Sequence, residues 1–175
     1  MFRIALVYGA ISGLIIIGVM IAGIALSSGE GAASSQAFGY LVMIIALTMI
    51  FIGVKRHRDR ALGGIIKFGP ALFSGLAIAA VAGVFYVAGW EAYLAASDYA
   101  FINDYTAGVI EAKRGAGITG EELDKIIAAM EKMKTQYANP FYRMPMTFLE
   151  IFPVGFIVAV ISAALLRNPK VLPAR

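Results

Sequence analysis

The chain has 175 residues, 60% of them hydrophobic and 15% charged, where soluble domains average about 45–50% apolar and about 25% charged. With a mean hydropathy of +0.80, that balance excludes most soluble classes. The absence of cysteine removes disulfides, thiolate nucleophiles and cysteine-ligated metal or iron–sulfur sites. A single histidine, His57, leaves no His-rich metal site or bis-histidine haem within one chain.

Four stretches carry no charge, residues 4–29, 31–54, 68–90 and 151–166. Each approaches or exceeds the roughly 17–25 residues that cross about 30 Å of hydrocarbon. The first run follows Arg3 and precedes Ala32 and Ala33, as a secretory signal would. It outlasts a signal core of about 7–15 residues, so an uncleaved first transmembrane helix is expected over residues 4–26. A short Gly-rich loop at 27–36 separates it from a second helix over 38–54. That helix is expected to end at the basic run Lys55, Arg56, His57, Arg58, Asp59, Arg60 and the pair Gly63-Gly64. A third helix is read at 68–90, with Pro70 near its start and Tyr86, Trp90 and Tyr93 as an interfacial aromatic belt.

The segment after Trp90 has helical signals of a different kind. Thr119 and Glu122 have capping-box spacing. Leu123, Ile126, Ile127, Met130, Met133 and Tyr137 then recur at three- and four-residue intervals up to Asn139-Pro140. Upstream, the third helix is expected to continue through Tyr99, Ile102, Tyr105 and Val109, with residues 115–120 as the turn of a helical hairpin. A fourth membrane helix begins near Met144 to Thr147 and ends at Leu166. The fold class is therefore an all-α polytopic membrane protein. Residues 1–90 hold three transmembrane helices, 91–145 an extracytoplasmic helical hairpin, and 146–175 the fourth helix and a cytoplasmic tail.

Orientation follows the distribution of Lys and Arg. With the N-terminus inside, Arg3, Lys55, Arg56, Arg58, Arg60, Lys67, Arg167, Lys170 and Arg175 all lie on the cytoplasmic side, nine of the fifteen basic residues. The net charge of +4 is thus read as a topology signal and not as a nucleic-acid footprint, since the basic run offers no aromatic stacking platform.

The residues Gly39-Tyr40, Ile50-Phe51-Ile52-Gly53-Val54-Lys55 with Arg58-Asp59, Gly63-Gly64 and Phe68 resemble a family of small bacterial four-helix membrane proteins catalogued as a domain of unknown function. The likeness resumes at Thr147-Phe148-Leu149-Glu150, Pro153-Val154-Gly155 and Ile161-Ser162-Ala163. It implies a bacterial inner-membrane location, in which the Lys and Arg distribution puts both termini on the cytoplasmic side, and supplies no catalytic residue, substrate or cofactor.

Candidate sites are few. Glu150 is an acid inside an apolar run, costly there and by default a functional candidate. Pro153 frees the carbonyl of Leu149 beside it, and Arg143 is its candidate partner. Lys55, Arg56, Arg58 and Arg60 form a candidate contact for anionic lipid, within which His57 is expected as a solvated loop residue. Glu91, Asp98 and Asp104 are expected on a solvated helix face. Small residues at four-residue spacing, Gly9 and Gly13, then Gly75, Ala79 and Gly83, then Gly155, Ala159 and Ala163, form stripes suited to close helix packing. No catalytic constellation, cofactor or metal site is identified. The leading reading is a non-enzymatic accessory, assembly or scaffold protein, with the lipid bilayer and a membrane protein or a second copy as partners. The alternative is a small homo-oligomeric transporter or ion-coupled carrier using Glu150.

Overall fold

The computed structural model describes residues 1–26 and 36–173. The expected first loop with Glu30, and Arg175 of the tail, lie outside the described residues. Six helices follow in order: α1 Phe2–Leu26, α2 Gln36–Ala61, α3 Phe68–Ala96, α4 Ala100–Gly115, α5 Gly120–Tyr137 and α6 Pro140–Leu166. There is no strand among the described residues. By length and apolarity α1, α2, α3 and α6 can each cross a membrane, so the protein is an all-helical polytopic membrane protein.

Three boundaries depart from the sequence-based expectation, each for a local reason. Helix α2 does not stop at the basic run but carries it to Ala61. Lys55 and Asp59 pair across one turn on its surface, and the helix is released only at Gly63 and Gly64, whose φ of 66° and 91° suit residues without a Cβ. Helix α3 does not continue to Val109 and ends at Ala96. The amide of Tyr99 donates to the Leu94 carbonyl and that of Asp98 to Ala95, with Asp98 at φ 51°. This is a Schellman closure in which Asp takes the left-handed place usually held by Gly. Helix α6 begins at Pro140, earlier than Met144. Asn139 Oδ1 accepts from the Phe141 amide at 3.0 Å, so Asn139-Pro140 ends one helix and starts the next, with proline in the first turn where its missing N–H is tolerated.

The chain divides into two compact units, one of Met1–Gly89 with Phe148–Arg175 and one of Trp90–Thr147. In the first, helices meet at small residues. A Cβ on Gly9 would lie 2.6 Å from Val81 Cβ, and one on Gly13 2.5 Å from the Ala82 carbonyl oxygen. Gly75 faces Ala159 and Gly155 faces Ala79, while Gly83 lies under the Phe148 ring. Ala79, Ala159 and Ala163 are buried. Lipid tails are as apolar as leucine, so helices in a bilayer associate through such close fit. Ser12 adds a cross-helix hydrogen bond, its Oγ donating to the Ala46 carbonyl at 3.1 Å. Leu14, Ile45, Phe73 and Ile157 remain exposed, as a surface turned toward hydrocarbon requires.

The second unit is built differently. Helices α4 and α5 pack together as a hairpin whose turn closes on Gly117, at φ 82°, with the Ile118 amide donating to the Lys113 carbonyl. Thr119 takes the N-cap of α5 in an extended conformation, but its hydroxyl makes no capping hydrogen bond. The capping-box spacing therefore marks the start of the helix without forming the expected bond.

Candidate functional site

Two polar places stand out in the first unit. The first lies on α6, where Glu150 accepts a hydrogen bond of 3.4 Å from the Tyr86 hydroxyl. Tyr86 is buried and its hydroxyl also meets Met20 Sδ at 3.0 Å. Tyr86 is thus turned into the bundle and is not part of an interfacial belt. Glu150 itself is exposed, and α6 runs through Pro153 as one helix. A phenol facing a carboxylate can hold or pass a proton, and little else is within the chemistry of this pair.

The second place is the end of α2. Arg58 is fully buried: its Nη1 donates to the Val171 carbonyl at 2.9 Å and its Nη2 to that of Leu172. Its Nε donates to Asp59 at 2.7 Å. Arg58 therefore pins the C-terminal tail and offers no charge to the outside. It also accompanies Leu172 at φ 46°, a left-handed conformation that disfavours a non-glycine residue by about 1–2 kcal/mol. His57, carried on the same helical turn, is buried and not a solvated loop residue, and its Nδ1 has no hydrogen-bond partner. Arg56 is exposed, with Nη1 donating to the Tyr8 hydroxyl at 2.9 Å, and Arg60 is exposed beside it. A cleft of about 560 Å³ opens here between Tyr8, Ile52, Arg56, Arg60 and Leu172.

In the second unit Arg143 is engaged by Glu91. The two form a bidentate pair, Nε to Oε1 at 2.7 Å and Nη2 to Oε2 at 2.6 Å, with Arg143 only 2% exposed. Nη1 donates to the Tyr137 carbonyl, and the guanidinium lies over the rings of Tyr99 and Tyr137. Trp90 Nε1 donates to the Tyr137 hydroxyl at 2.7 Å. Glu91, itself half-buried, therefore pairs with a buried cation and does not belong to a solvated face. The signal for it was the placement of one acid just after the third apolar run and one base just before the expected start of the fourth membrane helix. Tyr8 and Tyr86, polar groups within apolar runs, were the other readable signals. Among the described residues no group of three or more His, Asp or Glu side chains is placed to hold a metal ion.

A family model described as a protein of unknown function (DUF4199) matches residues 7–168. No curated protein and no solved structure matches the chain. Since the family match runs from the first membrane-crossing helix to beyond the end of the last, this chain belongs to the DUF4199 family.

Proposed function

We propose that the protein is a non-enzymatic accessory, assembly or scaffold protein of a bacterial inner membrane, with both termini cytoplasmic and residues 91–145 extracytoplasmic. The observation that carries this reading is the construction of the second unit. A bidentate pair of buried Arg143 with half-buried Glu91 holds the start of α6 in place, and the same turns display Phe141 at 90% exposure together with exposed Tyr142. A small module stiffened internally and left aromatic outside suits contact with another membrane protein or a second copy. Orientation rests on the basic residues at the ends of the apolar runs. Reporter fusions after Gly31, Gly64, Gly117 and Arg175 should read outside, inside, outside, inside. A photo-crosslinker at Phe141 should capture one discrete product in native membranes, and Lys132, on the exposed face of α5, should capture less. Absence of any discrete product at Phe141 would remove the basis of the scaffold reading.

A carrier function is the rival, favoured by the hydrogen bond between Tyr86 on α3 and Glu150 on α6, two helices able to cross a membrane. It predicts ion or proton flux in proteoliposomes that Glu150→Gln abolishes. Flux absent from the wild type, or unchanged in the variant, would leave the scaffold reading standing.

A further inference from the structure

The end of α2 presents a charge problem that the described residues do not solve. Arg56 and Arg60 are four residues apart and so share one helix face, where like charges repel. The acid nearest in sequence, Asp59, is already held by Lys55 and by Arg58. Neither Arg56 nor Arg60 has a carboxylate partner among the described residues. Arg56 donates to the Tyr8 oxygen, which leaves the phenol proton free to donate in turn. These donors border the same cleft, which Lys55 and Asp59 also line, the carboxylate of Asp59 being neutralised there by Lys55 and Arg58. One turn earlier on α2, exposed Ile52 adds an apolar side chain to the lining, and Leu172, held there by the Arg58 clamp on the tail, adds another.

From this geometry we infer that the cleft is a binding site for the phosphate of an anionic phospholipid. Arg56, Arg60 and the Tyr8 hydroxyl hold the phosphate, and Ile52 and Leu172 flank the first carbons of the lipid. Two guanidinium groups and a hydroxyl supply convergent charge-assisted donors for phosphate oxygens. The apolar side chains, and the position of the site where the charge-free run of α2 gives way to basic residues, favour a lipid over free phosphate. Arg58 takes no part in contact with the ligand and acts by positioning the tail. The inference is independent of the scaffold reading and holds whichever side of the membrane this end faces.

Thermal unfolding of the full chain in neutral detergent tests it, with titration by phosphatidylglycerol, by phosphatidylcholine and by inorganic phosphate. Phosphatidylglycerol should stabilise the wild type at low mole fraction, and the other two should not reproduce the effect. Each basic residue near anionic lipid contributes about a fivefold change in binding, so Arg56→Gln with Arg60→Gln should raise the half-saturating phosphatidylglycerol by roughly 30-fold. The charge-matched pair Lys113→Gln with Lys132→Gln, in the second unit, should leave it unchanged. Should the double arginine variant fail to fold, Tyr8→Phe removes one hydroxyl alone and should weaken the response about threefold, as the loss of one hydrogen bond does. A titration of either variant that superimposes on wild type overturns the inference. An equal response to inorganic phosphate overturns the lipid assignment, and an equal response to phosphatidylcholine overturns the role of the anionic charge.

Discussion

The two units of this chain reach order by opposite means. In Met1–Gly89 with Phe148–Arg175 the helices are apolar on nearly every side, so no face is driven inward by its hydrophobicity. Contact is set by where side chains are smallest: Gly9, Gly13, Gly75, Gly83 and Gly155 mark the crossings. In Trp90–Thr147 the helices α4 and α5 are charged and amphipathic, and the largest fully buried side chain is a cation, Arg143. Shape complementarity orders the first unit, whereas a single ion pair wrapped in aromatic rings orders the second. The lesson is that the bilayer-crossing region is most sensitive to added volume at a few glycines, whereas the small module depends on one charge.

The largest effect is therefore expected at Arg143. Removing one partner of a buried pair costs about 3–5 kcal/mol, and Arg143→Ala should make residues 90–147 the first part of the chain cut in limited proteolysis. Arg143→Met combined with Glu91→Leu should recover most of that loss, because no uncompensated charge remains. If the single and double variants are cut equally fast, the pair does not order the unit.

Next comes the glycine series, which sharpens the other side of the comparison. Overpacking a tight contact costs about 1–3 kcal/mol. Gly13→Ala should sit at the upper end, since the added Cβ would meet the Ala82 carbonyl oxygen at 2.5 Å and a helix backbone cannot step aside. Gly83→Ala should cost less, because its neighbour is the Phe148 ring, which can rotate. Gly18→Ala, with nothing within 4 Å of the new carbon, should be neutral or slightly stabilising. Detergent melting temperatures in that order would support packing by close approach; a flat series would refute it.

The smallest effect belongs to Thr119. An N-cap threonine ordinarily contributes about 1 kcal/mol, but here its hydroxyl makes no capping bond. Thr119→Ala should leave the melting of the second unit within roughly 0.5 kcal/mol of wild type, measured by proteolysis against temperature. A loss as large as that of an ordinary cap would mean that the capping box forms in solution.

By itself the sequence determined the membrane class, the number of membrane-crossing helices and the position of the α4–α5 turn. Those follow from run length, local periodicity and turn residues, which are short-range properties of the chain. It also exposed Glu150 as an acid within an apolar run. Only the tertiary structure decided the partners. Which of four neighbouring basic residues is buried depended on where the tail returns: Arg58 meets the Val171 carbonyl more than a hundred residues away in sequence, and Arg56 meets Tyr8. Likewise Arg143 is matched with Glu91 across 52 positions, and Glu150 meets Tyr86. Composition and periodicity report how much a residue needs a partner, because burying a charge or polar group without one is costly. They do not report which partner the fold brings within 3 Å, since that depends on the approach of segments distant in the chain.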